Sequence, residues 1–182
     1  MNKSISIIVI ASTLLLLGLA ACRTAPSTAE GKADIVANAD AALATAKRTD
    51  PSLTPVFNSA AGYAVFPTVG KGAAGVGGAY GKGVLYERGT PVGYCDLSQA
   101  TIGFQLGGQS YTEIIAFETP DAVRRFKQGE LEFDAQATAV ALKSGAGANA
   151  QYRNGVAVFT MDEAGLMFEA SVGGQKFSYQ PM

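Results

Sequence analysis

The sequence contains no histidine and no tryptophan, and it has only two cysteines. Without histidine, the Ser-His and Cys-His pairs that activate many catalytic nucleophiles cannot form, and most zinc and iron sites lose their commonest ligand. We therefore expect a protein that is not an enzyme and that holds neither a metal nor an organic cofactor.

The sequence also has no excess of positive charge. The chain carries 14 Lys and Arg residues against 15 Asp and Glu residues, and its cations form no block. Because nucleic-acid-binding domains need a basic patch, we expect no nucleic-acid partner. Glycine, by contrast, is abundant: 22 glycines without a Gly-X-Y period indicate tightly turned β-structure rather than collagen.

The first 22 residues have the pattern of a lipoprotein signal peptide. Lys3 gives a short basic start, an uncharged apolar run extends from Ile5 to Leu19, and Leu19-Ala20-Ala21-Cys22 looks like a lipobox. The apolar run is shorter than the roughly 20 residues that a membrane-spanning helix needs. We expect residues 1–21 to be cleaved and Cys22 to carry several fatty acyl chains, palmitate among them, which together anchor a protein stably. An ordinary secretory peptide is the alternative.

The residue after the lipobox indicates in which membrane the lipoprotein would be held. Arg23 stands where an aspartate would retain a lipoprotein in the inner membrane, so the pattern favours the outer membrane, at its periplasmic face or at the cell surface. Because the lipid would consume Cys22, Cys95 has no cysteine to pair with, and we expect it to be a small buried apolar residue.

Three helices are predicted in a single domain. Residues 22–32 are small and polar and are interpreted as a lipidated tether, and residues 33–182 as the domain. Apolar residues recur at helical spacing from Ile35 to Ala46, and the stripe is mostly alanine. Thr54 as N-cap with Pro55 at the first position predicts a second helix, which ends before Gly62. Thr119-Pro120-Asp121 predicts the start of a third, which ends at Gly129 and carries a group of basic residues, either solvated or in contact with acidic lipid.

The remaining pattern is that of β-strands. Strands are predicted at residues 63–66, within 70–86, and at 92–97, 99–106, 111–117, 131–139, 156–161 and 166–179, with hairpin turns at 87–90 and 162–165. Gly-Gly-Gln occurs twice, from Gly107 and from Gly173, and paired glycines allow sharp bends. We therefore predict an α+β fold: a strongly bent antiparallel sheet or partly closed β-barrel of about seven to nine strands, with two or three packed helices.

The glycine-rich segment allows several interpretations. Gly70 to Gly75 matches G-x-G-x-x-G, but a dinucleotide site needs a helix next, and the following residues, from Val76 to Ala79, are poor helix formers. A glycine-zipper helix between Lys71 and Lys82 would be only about 15 Å long. A glycine-rich strand against which a helix packs is the simplest interpretation. Its backbone amides, with Lys71 or Lys82, would then be open to an anionic head group.

Two acidic residues could act as a pair in acid–base chemistry. Glu132 and Asp134 lie on one face of the strand predicted at 131–139. Carboxylates exposed to solvent or to a partner are far commoner in such a position. The pair therefore does not change the expectation of a non-enzymatic protein.

Several blocks of sequence, in order, resemble the SYLF domain family, and in particular its bacterial lipoproteins. The blocks are Gly62-Tyr63-Ala64-Val65-Phe66-Pro67, Val69-Gly70-Lys71-Gly72, Gly81-Lys82-Gly83, residues 103–109, Phe133-Asp134-Ala135 and Gly165-Leu166-Met167-Phe168-Glu169-Ala170-Ser171. The likeness covers about residues 33–180. It implies a lipid-binding module, as eukaryotic members bind phosphoinositides and some bind actin. Their amphipathic membrane-contacting segment corresponds to Ile35–Arg48, which here is alanine-rich and weakly basic.

From the residues and the resemblance together, we expect a membrane-anchored lipoprotein whose domain binds anionic phospholipid. The candidate head-group contacts are Lys71, Lys82, Gly70 and Gly72, beside the lipidated Cys22. The alternative is a structural or interaction lipoprotein of the cell envelope that binds a protein partner, as yet unknown, without lipid specificity. A membrane-spanning barrel is disfavoured because the chain ends Tyr179-Gln180-Pro181-Met182, without a terminal aromatic residue.

Overall fold

The computed structural model describes residues 24–74, 76–102, 109–131, 133, 139–143, 145, 147–162 and 172–182. Within these ranges the chain forms three α-helices, one short 3₁₀ segment at Gly147–Asn149 and seven strands. The helices are α1 (Ala29–Thr49), α2 (Leu53–Ser59) and α3 (Pro120–Lys127). The strands are β1 (Gly62–Ala74), β2 (Val76–Glu87), β3 (Thr90–Ile102), β4 (Gln109–Phe117), β5 (Val140–Ala141), β6 (Val156–Asp162) and β7 (Gln175–Pro181).

The strands form one sheet in the order β5-β6-β4-β1-β2-β3-β7. Every pairing is antiparallel except that of β5 with β6, so the sheet is mixed. The predicted hairpin turn at 87–90 is confirmed: Arg88 and Gly89 have φ angles of 51° and 77°, the signs that a type I′ turn requires. The predicted α+β class with a bent sheet is confirmed as well.

A single hydrogen bond shows how strongly the sheet bends. Gln175 Nε2 on β7 donates to Glu113 Oε2 on β4 at 2.9 Å. These strands are four steps apart in the sheet, which would separate them by about 19 Å if the sheet were flat. The sheet therefore curls into a trough, with Glu113 and Gln175 on its inner face. The edges of the trough, β5 and β7, do not pair with each other in the described part of the chain, so it is not a closed barrel.

Both faces of the trough carry a hydrophobic core. The inner face packs on α3, where Phe126 lies 5.0 Å from Phe117 and 5.2 Å from Phe177, measured between ring centroids. The outer face packs on α1 and α2, where the predicted alanine stripe brings Ala39 and Ala46 to complete burial. Because Ala side chains are short, α1 lies close to the sheet, and Asp40 accepts a 2.8 Å hydrogen bond from Tyr86 on β2.

The observed helices α1 and α3 agree closely with those predicted from the sequence, whereas α2 starts earlier than predicted. Thr119 caps α3 through Ala122 N, and Gly129 follows it with a φ of 70°. The prediction that Thr54 is the N-cap of α2 is wrong, since the helix already begins at Leu53. The cause is Asp50, whose carboxylate accepts from Ser52 N and Ser52 Oγ and folds the chain into a turn before Thr54 is reached.

Some predicted strands differ from the observed ones. The strands predicted at 92–97 and 99–106 are one continuous strand, β3, as far as Ile102, and residues 103–106 lie outside the described part. The strand predicted at 131–139 is wrong for Leu131, Phe133 and Ala139, which lie outside strands, and its other positions lie outside the described residues. Of the strand predicted at 166–179, only the part from Gln175 is observed, because Val172 to Gly174 form a turn; residues 166–171, and the turn residues 163–165, lie outside the described part.

Candidate functional site: the outer face at the open end of the sheet

A bulge in β1 separates two regions of the outer face. The register of β1 shifts between Val65 and Thr68 against β2 and between Phe66 and Val69 against β4. At this place Thr112 Oγ1 donates to the carbonyl oxygen of Pro67 at 2.8 Å. Beyond the bulge, β1, β2 and β3 continue past the ends of the covering helices. This region contains most of the glycine-rich segment.

The outer face beyond the bulge is exposed, and we call it the tip patch. Strand register places its members in rows: Gly70 lies opposite Tyr80, Tyr80 opposite Ser98, and Ser98 opposite Lys176. All four are exposed, and Tyr80 is the most exposed tyrosine of the described chain, at 48%. The exposed Thr68, Ala100 and Ser178 and the half-buried Lys82 complete the tip patch.

Lys82 is held in place by charged and polar neighbours. Its ammonium group lies 3.1 Å from Asp96 Oδ1, donates to the Thr24 carbonyl oxygen at 3.2 Å and lies 5.8 Å from the centre of the Tyr80 ring. Partial burial disfavours the charged ammonium, but hydrogen bonds to Tyr80 and Asp96 outweigh it and raise the pKa of Lys82. Lys82 is therefore a fixed cation that already has partners within the protein.

The contact with Thr24 brings the start of the described chain to the tip patch. Thr24 Oγ1 and Ser178 Oγ are 3.3 Å apart, Ala25 N donates to Gln180 Oε1 at 3.3 Å, and Ala25 is buried. Helix α1 then begins at Ala29, capped by Thr28 through Gly31 N, so it includes residues 29–32 of the segment interpreted as a tether. Cys22 lies outside the described residues. Two residues of a polypeptide span at most about 7 Å.

The two lysines predicted from the sequence lie on opposite faces of the sheet. Lys82 pairs with Thr68 on the outer face, whereas Lys71 pairs with Ala79, which is buried in the inner core. Lys71 is half-buried on the inner face of the trough. Gly70 belongs to the tip patch, and Gly72 lies opposite Gly78 in the hairpin of β1 and β2. The structure therefore brings Gly70 and Lys82 to one face and separates Lys71 from them.

The strand structure of this segment also decides between its other interpretations. Residues 70–74 lie in β1 and residues 76–83 in β2, so no helix follows Gly70-Lys71-Gly72. The dinucleotide site and the glycine-zipper helix are both excluded, because each requires a helix here. None of the helices in the described ranges is long and apolar enough to cross a membrane.

A buried carboxyl group on the inner face was not anticipated from the sequence. Glu113 is completely buried, and Gln175 is the hydrogen-bond donor to one of its oxygens. Burial raises the pKa of Glu113 to about 7, although hydrogen bonds from Gln175 and Tyr111 act in the opposite direction. Gln99, which lies opposite Gln175 in register, donates to the Gly173 carbonyl oxygen at 2.8 Å. The only signal in the sequence is an acidic residue within the apolar strand 111–117.

Other candidate positions do not form a site in the described residues. Glu132 and Asp134, the pair considered for acid–base chemistry, lie outside them. Within the described ranges, no three His, Cys, Asp or Glu side chains come close enough together to hold a metal ion.

Comparison with known proteins agrees with the resemblance noted in the sequence. Residues 98–181 match the family model described as Ysc84, the Las17-binding protein actin regulator, which is the SYLF domain. Beta cell expansion factor A from Aeromonas veronii is 31% identical over 154 residues, which cover 84% of this chain and 59% of that protein. The chain thus spans little more than half the length of this relative. The resemblance to the SYLF family is confirmed.

Proposed function

We propose that this member of the SYLF family is a lipoprotein of the outer membrane, anchored through acylated Cys22, whose tip patch binds anionic phospholipid without catalysing a reaction. The observation that supports this most directly is the position of Thr24, the first residue that the structure describes. Thr24 contacts Lys82, so an acylated Cys22 would hold the tip patch within a few ångströms of the bilayer surface.

The residues of the tip patch suit such a surface. Tyr80 is exposed, and tyrosine rings are favoured at the boundary between head groups and acyl chains. Lys82 and Lys176 supply two cations, and Asp96, which lies opposite Lys82 in register, is mostly buried and bound to Lys82. Each lysine near an anionic membrane surface contributes about 1 kcal/mol of attraction. The contact alone is therefore weak, and the acyl chains supply most of the affinity.

Vesicle sedimentation with the unlipidated chain from Arg23 to Met182 tests the proposal. The vesicles contain neutral lipid alone, or neutral lipid with phosphatidylglycerol or cardiolipin, at low and moderate salt. We expect binding that requires anionic lipid and weakens with salt. Tyr80→Ala with Lys176→Glu should reduce binding about tenfold or more, because the double variant removes the aromatic contact and reverses one charge.

The controls separate this surface from general charge effects. Lys143→Glu reverses an exposed cation outside the tip patch and should leave binding within about twofold. Lys71→Glu tests the residue predicted from the sequence on the inner face, and a loss there equal to that of the double variant would show that the tip patch is wrongly chosen. If no vesicle composition binds the chain, lipid recognition is contradicted and the alternative of a protein partner gains support.

The anchor requires its own test. Metabolic labelling with a fatty acid should acylate the wild-type protein and not Cys22→Ala. Separation of the membranes should then recover the labelled protein with the outer membrane. Labelling that survives Cys22→Ala, or recovery of the wild-type protein in a soluble fraction, would contradict the anchor.

A further inference from the structure

A cleft opens at the end of the sheet opposite the tip patch. It has a volume of about 770 Å³ and lies between the start of β1, the turn joining β2 to β3, and α3. Its apolar lining consists of Ala60, Ala61, Val92, Pro120 and Val123. Small-molecule sites in proteins have volumes of about 300–1,000 Å³ and are mostly apolar with a few charged groups. The size and lining of the cleft fall within that range.

Three cations and one anion complete the lining of this cleft. They are Arg88, Arg124 and Lys127, and Glu87 is the only acidic residue among the lining residues that the structure describes. Lys127 forms an ion pair with Glu87 and lies 5.3 Å from the centre of the Tyr179 ring, which keeps its ammonium at a fixed place. Arg124 pairs with Asp121 on the exposed side of α3. The lining therefore has a positive balance in a chain whose net charge is negative.

Arg88 is the least expected residue of the group. It occupies the first central position of the type I′ turn with a φ of 51°, where asparagine, aspartate and glycine are favoured and a long side chain is uncommon. Its side chain is exposed and lines the cleft. The structure thus places a cation at the rim of the cleft, although arginine is an unfavourable residue at this position of the turn.

The geometry points to a binding site for a small anionic amphiphile with a single apolar chain, such as a fatty acid. The anionic head would lie at Arg88 and Arg124, and the apolar chain would lie along Ala61, Val92 and Val123. A nucleotide fits less well, because none of the described residues lining the cleft is aromatic and could stack on a base. This site is separate from the tip patch, since Tyr80 and Arg88 are eight residues apart along an extended strand and its turn, roughly 26 Å.

Decanoate, used below its micelle-forming concentration, is the probe, and calorimetry with the chain from Arg23 to Met182 measures its binding. This chain contains every residue that the structure describes. We expect one saturable site. Butyrate should bind at least about tenfold more weakly, because each buried methylene strengthens binding about fourfold. Decyltrimethylammonium, with the same chain length and the opposite charge, should bind at least about tenfold more weakly than decanoate.

Variants locate the site. Arg88→Glu with Arg124→Glu should weaken decanoate binding about tenfold or more, whereas Arg153→Glu, an exposed arginine outside the cleft, should leave it within about twofold. Arg88→Asn suits the turn better than arginine does, so it should not lower the unfolding midpoint, yet it should weaken decanoate binding about threefold or more. This last variant separates a role in the cleft from a role in the turn.

Three results would overturn the site. They are equal binding of decanoate and decyltrimethylammonium, unchanged binding in the double variant, and amide shifts on decanoate titration at Tyr80 and Ser98 rather than at Ala61 and Val92. The proposed function is judged separately. Loss of decanoate binding in the Arg88 and Arg124 variant, with vesicle sedimentation unchanged, would support two sites. Loss of both would indicate one shared surface and contradict the inference.

Discussion

Strands β1, β2 and β3 each pass through two regions that differ in what covers their outer face. Near the β2–β3 turn, Tyr63 and Tyr86 stack at 5.1 Å between ring centroids and are buried beneath the first two helices. Beyond the bulge, the same face bears the exposed Thr68, Gly70 and Tyr80. The covered region stabilises the domain, whereas the tip patch is exposed and can contact another surface. The following variants test this division, beginning with the largest effect.

Phe126→Ala removes the aromatic residue that joins α3 to the inner core. Phe126 is completely buried and contacts both Phe117 and Phe177. We expect the free energy of unfolding to fall by about 3–5 kcal/mol, measured by urea denaturation. A loss below about 1 kcal/mol would show that the inner core does not depend on α3.

Two glycine variants compare the regions directly. An alanine Cβ at Gly83 would lie 2.5 Å from the Val65 carbonyl oxygen, whereas at Gly70 the nearest atom is the Tyr80 carbonyl oxygen at 4.0 Å. We expect Gly83→Ala to lower the free energy of unfolding by about 1–3 kcal/mol or more. Gly70→Ala should leave it unchanged or raise it by up to about 1 kcal/mol. Equal effects in thermal unfolding would contradict the division at the bulge.

Glu113 lies at the boundary, paired in register with Phe66, and makes stability depend on pH. Burial raises its pKa in the folded state from 4.5 to about 7, so the folded protein favours the protonated carboxyl. This contribution is fully present below pH 4.5 and is lost as pH rises through 7, by up to about 1.4 kcal/mol per pH unit. Glu113→Gln should flatten that dependence between these values and be more stable than wild type at pH 8. A parallel pH profile for the two proteins would contradict the assignment.

Tyr80→Ala is expected to have the smallest effect on stability. Nearly half of this residue is exposed, and its hydroxyl donates a long hydrogen bond of 3.4 Å to Asp96 and shares another with Lys82. We expect a change in the free energy of unfolding within about 0.5 kcal/mol, together with weaker vesicle binding because the aromatic contact is lost. A large destabilisation would show that the tip patch belongs to the core rather than to a contact surface.

Much of the fold could be predicted from the sequence because its local signals are strong. The spacing of Ala39, Leu43 and Ala46, the cap at Thr119 and the turn at Arg88-Gly89 each determine a local structure through nearby residues. The start of α2 could not be predicted in the same way. Asp50 also accepts hydrogen bonds from Gly145 N and Gly147 N, which are almost a hundred positions away.

The candidate site was harder to predict for a related reason. Half of the residues from Gly70 to Gly83 are glycine, so many positions tolerate a turn, and nothing local indicates the particular turn that brings Ala74 opposite Val76. That turn decides that Lys71 and Lys82 lie on opposite faces. The partners of Lys82, Asp96 and Thr24, and the lining of the cleft also come from distant parts of the chain, which only the folded sheet brings together.

The reactivity of Cys95 can be used to measure how often the domain opens. This residue is completely buried on β3, and burial raises the pKa of its thiol well above the usual value, so the folded protein offers almost no reactive thiolate. In the chain from Arg23 onward it is the single cysteine. The rate at which a thiol reagent modifies it therefore reports how often the trough opens, with no engineered label. Comparing that rate with and without vesicles or decanoate would show whether either ligand keeps the trough shut.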